Sequence, residues 1–229
     1  MANIYIINRI KLDRYGLRAY DALKKWFPMR FQQGTHDGAC VAYSTMMALL
    51  CAGAIDGTDT DFWKKVPDKR TTLGKFLSHI FEEQGMLLRG YSLKTMACEL
   101  RSNFDNLVIH YKTKANDVVQ LSDFIQRKGV PVILRLRDQL ALDNNICGLD
   151  HAVLAIGVEY ASYEMDGTAV KILCLDPGNK TPKTTYWNCF IDAGRRNSGD
   201  CPFWYVTNEG SWRVEVTEFI AIEPINMDV

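Results

Sequence analysis

The stretch CVAYSTMMALLCAG, residues 40–53, is apolar on almost every side. A helix with this pattern is buried in the middle of a domain rather than laid on its surface. Gly53 stands where such a helix would end, because glycine readily adopts the left-handed conformation that closes the last turn. The pattern therefore predicts a buried central helix that begins at Cys40.

The segments around this helix change in character once along the chain. Up to about residue 129 their apolar residues recur at helical spacing, and after it β-branched and aromatic residues dominate. Helices followed by antiparallel strands indicate an α+β fold. We expect one domain over residues 1–229, with a helical lobe at about 15–129 and a β lobe at about 130–225. The predicted helices are CVAYSTMMALLCAG, TLGKFLSHIFEEQG, SLKTMACELRS and NDVVQLSDFIQRKG, and the predicted strands are VPVILRLR, LDHAVLAIGVEY, AVKILCLD, TTYWNCFI, PFWYVT and WRVEVTEFIAIE.

Composition narrows the choice of partners and compartment. Lysine and arginine number 27 and acidic residues 27, so net charge favours neither nucleic acid nor an anionic membrane. No apolar run is long enough for a membrane span, and the first residues lack a signal-peptide layout. Seven cysteines without paired spacing indicate free thiols in a reducing compartment. We expect a cytoplasmic protein, or one delivered without a classical signal peptide.

Cys40 is open to two interpretations. A free cysteine in an apolar segment is commonly a small core residue. At the first residue of a helix, however, the positive end of the helix dipole favours the thiolate, which is the attacking form. Gly38 permits a sharp turn that leaves the N–H of Cys40 facing outward, and the amide of Gln33 would add a second donor to an oxyanion hole. This stretch alone does not decide between core residue and nucleophile.

A thiol nucleophile needs a histidine as its base and proton donor. Of the four histidines, His79 falls off the apolar face of its predicted helix, and His110, in NLVIHYK, has no catalytic residues near it in the sequence. Both are expected to be structural. His36 lies close to Cys40 but has no evident group to orient its ring. His151, in GLDHAVLAIGV, is part of a polar pair at the head of an apolar strand. His151 is therefore the preferred base.

The strand AVKILCLDPG ends in Asp176, a carboxylate that closes an apolar segment. If residues 160–167 connect this strand to the preceding one, Glu159 faces Thr168 in an antiparallel pair. The count then places His151 directly opposite Asp176, where the two side chains share a face and can touch. We therefore predict that Asp176 orients the ring of His151.

Two alternatives to this pairing are less favourable. A tight turn at Asp166-Gly167 would set His151 against Pro182, and proline fits badly in the middle of a strand. Asp150 is the other acid close to His151, but consecutive strand residues point to opposite faces. We expect Asp150 to turn away from the ring and to have a structural role.

The motifs QGTHDGAC, LDHAVLAIGV and ILCLDPG, in this order, resemble those of the papain-like cysteine peptidase superfamily. GVPVILRLR followed by DHAVLAIG and LDPG is similar to the branch of bacteriocin-processing, double-glycine-leader peptidases. The resemblance covers roughly residues 31–190, and residues 1–30 have no counterpart in it. It implies a papain-like α+β fold, in which an N-terminal helical lobe with a central nucleophile helix packs on a C-terminal antiparallel β-sheet lobe.

The resemblance also implies a role for each candidate residue. Cys40 would be the nucleophile, His151 the base and acid, Asp176 the orienting third member, and Gln33 the oxyanion donor. The family's glutamine usually lies six residues before the cysteine, whereas Gln33 lies seven before Cys40. Either a one-residue bulge brings Gln33 into place or another group completes the oxyanion hole.

The function implied is a cysteine peptidase that cleaves peptide or isopeptide bonds in a protein or peptide substrate, without a metal or organic cofactor. Cys147, His151 and Cys174 lack metal-ligand spacing. The same chemistry serves deamidases, amidases and acyltransferases, including bacterial effectors or toxins, and a catalytically silent peptide-binding domain is a further alternative. Whether an inhibitor or immunity protein covers the site is left open.

Overall fold

The computed structural model describes residues 3–29, 32, 39–58, 68–80, 91–143, 148–161, 169–196 and 198–225. In chain order these residues form β1 (Asn3–Ile6), β2 (Ile10–Asp13), β3 (Gly16–Tyr20), β4 (Trp26–Pro28), α1 (Cys40–Ala52), α2 (Thr72–Ser78), α3 (Leu93–Asn103), β5 (Leu107–Thr113), α4 (Val118–Gln126), β6 (Val132–Arg137), α5 (Gln139–Leu142), β7 (Asp150–Tyr160), β8 (Ala169–Leu175), β9 (Cys189–Asp192), β10 (Phe203–Thr207) and β11 (Ser211–Pro224).

Six strands close into an antiparallel β-barrel. Their order is β7, β6, β11, β10, β9 and β8, and β8 pairs back with β7 to close the ring. The two longest strands, β7 and β11, each have partners along both edges, and β1 and β5 extend the barrel by pairing with β7 and β11 respectively. Closure removes the exposed edges that an open sheet would leave.

Strands β2, β3 and β4 form a separate three-stranded antiparallel sheet. Gly16 joins the first two strands with a φ of 97°, a conformation that glycine adopts without steric cost. Arg9, just before β2, donates a hydrogen bond of 2.8 Å to the carbonyl of Tyr20 at the end of β3. The hydrogen bond from Arg9 therefore ties this small sheet to the segment that connects it to β1.

The predicted central helix is confirmed as α1. Of its 13 residues only Tyr43 is not buried, and α1 packs against β7, β6 and β11. Gly53 ends the helix in the left-handed conformation with a φ of 68°. Helices α2, α3 and α4 and the strands from β6 onward also lie within the segments that the sequence predicts, to within one residue at either end. The short helix α5 lies outside the predicted helices.

The predicted fold class is wrong: there is no papain-like helical lobe packed on an open antiparallel sheet in the described residues. The strands close into a barrel, and β3, β4 and β5 lie within residues 15–129, which were assigned to the helical lobe. Strands such as β2 and β4 are only three or four residues long, too short for a clear alternating pattern. Closure itself depends on which strand pairs with which, and strand composition does not encode that choice.

The predicted register between β7 and β8 is also wrong, although the two strands do pair. Glu159 pairs with Lys171, and irregularities in the ladder occur at Glu159/Tyr160 and at Ala155/Gly157. Each bulge adds a residue to one strand and shifts the register beyond it. The last pair is Leu154 with Leu175, so neither His151 nor Asp176 lies in the ladder between these strands.

Within the described residues, none of the helices combines the length and the apolar character that crossing a membrane requires.

Candidate active site

Cys40 is the first residue of α1 and is 7% exposed. The residue before it, Ala39, has no side chain that caps the helix, and the N–H of Tyr43 bonds to the carbonyl of Ala39 at 3.0 Å. The N–H groups of the first turn, including that of Cys40, have no intrahelical acceptor. The thiol therefore lies beside backbone donors and the positive end of a buried helix.

A buried hydrogen bond fixes this end of α1 against the barrel. The hydroxyl of Ser44, one turn after Cys40, donates to the carbonyl oxygen of Ala152 at 3.2 Å. Ser44 is fully buried, and Ala152 directly follows His151 in β7. The bond thus sets the position of the Cys40 turn relative to the strand that carries His151.

His151 lies between Cys40 and Asp176. Its Nε2 is 2.7 Å from Oδ1 of Asp176, so the predicted contact between these two residues is present despite the different register. An ionised carboxylate only accepts hydrogen bonds, so Nε2 is protonated and donates a hydrogen bond to Asp176. Nδ1 is then the ring nitrogen left free of Asp176, and Cys40 is close enough to contribute to the pKa of His151.

Asp176 follows β8 and its side chain is 6% exposed. Oδ1 accepts hydrogen bonds from His151 and from the N–H of Gly178 at 2.7 Å, and Oδ2 accepts from Nδ2 of Asn179 at 2.6 Å and from the hydroxyl of Tyr205 at 2.5 Å. A buried carboxylate is stable only when its charge is matched by such donors. Four donors therefore fix the orientation of the group that binds His151.

The backbone of Asp176 is held as firmly as its side chain. The N–H of Asp176 donates to Oδ1 of Asn188 at 2.7 Å, and Nδ2 of Asn188 donates to the carbonyl of Asp176 at 2.9 Å and to that of Lys180 at 3.2 Å. Asn188 lies just before β9, so the neighbouring strand connection fixes the turn after β8.

The electrostatics favour a charged histidine. Burial lowers the pKa of His151, but hydrogen bonds to Asp176 and Cys40 and the charges of both outweigh burial and raise it to about 10. Burial raises the pKa of Asp176, yet the bonds from His151, Tyr205 and Gly178 and the charge of His151 leave it below its usual value. The site therefore stabilises an imidazolium beside the ionised carboxylate of Asp176.

The remaining sequence candidates lie elsewhere or outside the described residues. Gln33 and His36 belong to residues 33–38, which the structure does not describe. Asp150 turns away from His151, as predicted, and accepts two hydrogen bonds from Arg135 at 2.8 and 2.7 Å. His110 pairs with a carboxylate, that of Glu223, as does His79, whose partner is Glu99. Cys147 is also outside the described residues, and Cys174 is buried in β8.

Sequence reasoning missed the residues that hold Asp176. Gly178 and Asn179 follow it in the turn DPGN, and an Asp that bonds the N–H two residues later is a common turn signal that could have revealed them. Tyr205, in the predicted strand PFWYVT, is 29 residues away and reaches Asp176 through the curvature of the barrel. Only the three-dimensional arrangement brings these two together.

The comparisons with known proteins leave the family open. No protein-family model matches the chain, and no curated protein matches it. Among solved structures, the crystal structure of UfSP from C. elegans is similar over 98% of this chain, with 15% sequence identity and a TM-score of 0.44. This chain covers 34% of the length of that protein chain.

Proposed function

We propose that this protein is a thiol-dependent hydrolase, and specifically a cysteine peptidase that cleaves peptide or isopeptide bonds through an acyl-enzyme. The observation that supports the proposal is the placement of His151. One ring nitrogen is fixed on the buried carboxylate of Asp176, and the other remains for the thiol of Cys40 at a helix N-terminus. A nucleophile, a base and a group that orients the base are the parts that covalent acyl transfer requires.

In the proposed reaction, the thiolate of Cys40 attacks the carbonyl carbon of the scissile bond and forms a tetrahedral intermediate. The backbone N–H of Cys40 donates to the developing oxyanion, and Gln33 is proposed as the second donor. The imidazolium of His151 gives its proton to the leaving amine, which departs and leaves a thioester on Cys40. His151 then takes a proton from water, which attacks the thioester and releases the acid, so that the Cys40 thiolate and the His151 imidazolium are restored.

Asp176 has a positioning role in this scheme. Its carboxylate accepts a hydrogen bond from Nε2 of His151, so Nδ1 is held toward Cys40. The charge of the carboxylate stabilises the imidazolium. The reaction requires neither a metal ion nor an organic cofactor. The similarity of QGTHDGAC, LDHAVLAIGV and ILCLDPG to motifs of cysteine peptidases that process peptide leaders supports a peptide or protein as the substrate.

The first test is selective alkylation with substoichiometric iodoacetamide at about pH 6, where an ordinary thiol with a pKa of about 8.5 is protonated. Peptide mass spectrometry locates the label, and Cys98, an exposed cysteine in α3, is the internal comparison. We expect Cys40 to be labelled first although it is buried, and labelling to slow in His151→Ala. Preferential labelling of Cys98, or no effect of the histidine variant, contradicts the proposal.

The second test separates the reaction types. A candidate protein substrate is incubated with the enzyme and with Cys40→Ala, and both samples are analysed by mass spectrometry. Fragments that require Cys40 support a peptidase. A gain of about one dalton without cleavage would identify a deamidase instead, and a thiol that labels normally but never turns over a substrate would identify a binding domain.

The adjacent residues Gln32 and Gln33 provide a matched pair of variants that tests the proposed oxyanion donor. Gln33→Ala should lower kcat about 10²–10³-fold, the usual cost of losing one such donor. Gln32→Ala removes an adjacent, exposed amide and should leave kcat at saturating substrate unchanged. Equal effects of the two variants would remove Gln33 from the mechanism.

A further inference from the structure

A groove with cationic walls lies beside the Asp176 side of the candidate active site. Its volume is about 530 Å³, within the range of about 300–1,000 Å³ that is typical of ligand sites. Arg14, in the turn between β2 and β3, lines one wall, and residues 180–183 line the other. Gln32, which lies eight residues before Cys40, also borders the groove.

The charges on these walls have one sign. Arg14, Lys180 and Lys183 line the groove, all three are exposed, and none of the lining residues is acidic. In the described part of the chain, no carboxylate forms an ion pair with any of the three. Three cations around one concave surface create a positive potential that attracts a negatively charged ligand.

On the wall formed by the turn between β2 and β3, the charge of Arg14 is available to a ligand. Its guanidinium lies 4.7 Å from the centre of the Tyr15 ring and donates a hydrogen bond of 2.5 Å to the Tyr15 hydroxyl. The adjacent acid, Asp13, is instead paired with Lys11 at 3.5 Å and with Arg18 at 3.6 Å. An aromatic ring, rather than a carboxylate, therefore positions the arginine.

The opposite wall is tied directly to the candidate active site. Nδ2 of Asn188 donates to the carbonyl of Asp176 at 2.9 Å and to that of Lys180 at 3.2 Å, so these two oxygens lie at most about 6 Å apart. The side chain of Asn179, one residue before Lys180, bonds to the carboxylate of Asp176. A ligand in the groove would thus contact the segment that positions the His151 partner.

We propose that the groove binds an acidic segment of the peptide substrate, with Glu or Asp carboxylates paired to Arg14, Lys180 and Lys183. The inference rests on the proposed peptidase function and adds the substrate class to it. Exposed ion pairs are individually weak, so selectivity would come from several of them acting together in one concave site. It should also fall as added salt screens them.

Binding can be measured without turnover in the Cys40→Ala protein. The probes are fluorescein-labelled octapeptides of Glu alternating with Gly, of Gln alternating with Gly and of Lys alternating with Gly, and the readout is fluorescence anisotropy at about 50 mM salt. We expect the Glu peptide to bind at least about tenfold more tightly than the Gln peptide, since several pairs of up to about 1 kcal/mol each contribute. The preference should largely disappear in about 0.5 M salt.

Charge reversal at the wall is the decisive variant. Lys180→Glu combined with Lys183→Glu should abolish the preference for the Glu peptide and create one for the Lys peptide. The matched control is Lys94→Glu, an exposed position in the first turn of α3 that does not line the groove and should retain the original preference. Because both wall lysines are exposed, the double variant is expected to fold, which circular dichroism checks.

The outcomes separate the groove from the catalytic proposal. The groove proposal fails if the Glu and Gln peptides bind alike, if the wall variant keeps its preference, or if single-stranded DNA of equal length binds as tightly as the Glu peptide. If the groove proposal fails while Cys40 is still selectively labelled, the peptidase proposal is unaffected. Selective acidic binding in a protein whose Cys40 is unreactive would instead support the groove and overturn the peptidase.

Discussion

Replacing Asp176 with Asn tests how the charge of His151 is set, because the local hydrogen bonds determine which way the new amide must point. The N–H of Gly178 donates to Oδ1 at 2.7 Å and cannot reverse its role. The amide oxygen therefore takes the Oδ1 position and still accepts from His151, while the new NH₂ replaces Oδ2. There it meets the hydroxyl of Tyr205 and the amide of Asn179, both of which can turn to accept.

The variant thus removes the negative charge and retains the orientation of the ring. The rise in the pKa of His151 from 6.5 to about 10 corresponds to about 5 kcal/mol in favour of the charged ring. An adjacent opposite charge accounts for a shift of about one to three pKa units. In Asp176→Asn the pKa of His151 should fall by that amount.

The assay is an NMR titration of the histidine rings in isotopically labelled protein, with His151 assigned through a His151→Gln spectrum. If the pKa falls to about 8, the imidazolium is lost as pH rises through 8 rather than through 10. The loss in kcat/KM relative to the parent should then grow about tenfold between pH 6.5 and pH 9, because His151 must be protonated to release the amine.

The control for this experiment is Asp150→Asn, one residue before His151 in β7. Its carboxylate is paired with Arg135 rather than with the histidine, so the variant removes the same charge next to His151 in sequence without removing a partner of the ring. The reasoning is refuted if the titration of His151 moves by less than about half a unit in Asp176→Asn, or if both variants move it equally.

Three further substitutions test the support of the site and of the fold. Tyr205→Phe removes the buried hydrogen bond to Asp176 and should lower the free energy of unfolding in urea by about 1.5–3 kcal/mol, the usual contribution of a bond to a charged group. Ser44→Ala removes the bond to Ala152 and should cost about 0.5–1.5 kcal/mol and slow the alkylation of Cys40. Gly53→Ala should lower stability by more than about 1 kcal/mol, because its φ is 68° and a Cβ would lie 2.1 Å from the guanidinium of Arg9.

Each of the first two substitutions has a matched control. Tyr111→Phe removes a hydroxyl that bonds to Glu218 in a half-buried setting away from the site, and should leave the titration of His151 unchanged. Thr45→Val removes a bond within α1 only, so it should leave Cys40 alkylation at the parent rate. Loss of Cys40 reactivity in Thr45→Val would show that the Ser44 bond is not what positions the thiol. For Gly53→Ala, an unchanged thermal midpoint would contradict the steric argument.

The sequence predicts the local elements well because each has its own signal. The apolar residues of α1 and the glycine that ends it identify the buried helix, and alternating or continuous apolar residues identify the strands from β6 onward. Barrel closure has no such signal. It requires β8 to pair with β7 on one side and with β9 on the other, and residues 3–28 add short strands whose composition is mixed.

The contact between His151 and Asp176 was reached through a register that the structure does not have. The prediction placed the two residues directly opposite each other, but the ladder ends at Leu154 and Leu175. Their side chains meet beyond this last pair, where the turn after β8 carries the carboxylate toward the ring. The sequence thus indicated which strand ends approach one another, while the bulges that set the register left no readable pattern.

The barrel and the helix have different parts in holding the candidate site. Four hydrogen bonds hold the carboxylate of Asp176, and Asn188 holds its backbone. One of the four donors, Tyr205, belongs to β10, which is separated by β9 from the strand that Asp176 follows. Cys40 belongs to α1, whose first turn is joined to β7 by the Ser44 bond. Since the acid and base are anchored within the barrel, the distance between thiol and imidazole depends on how α1 seats against β7. Small changes at that helix–strand contact should therefore alter nucleophile reactivity while the His151–Asp176 pair stays intact.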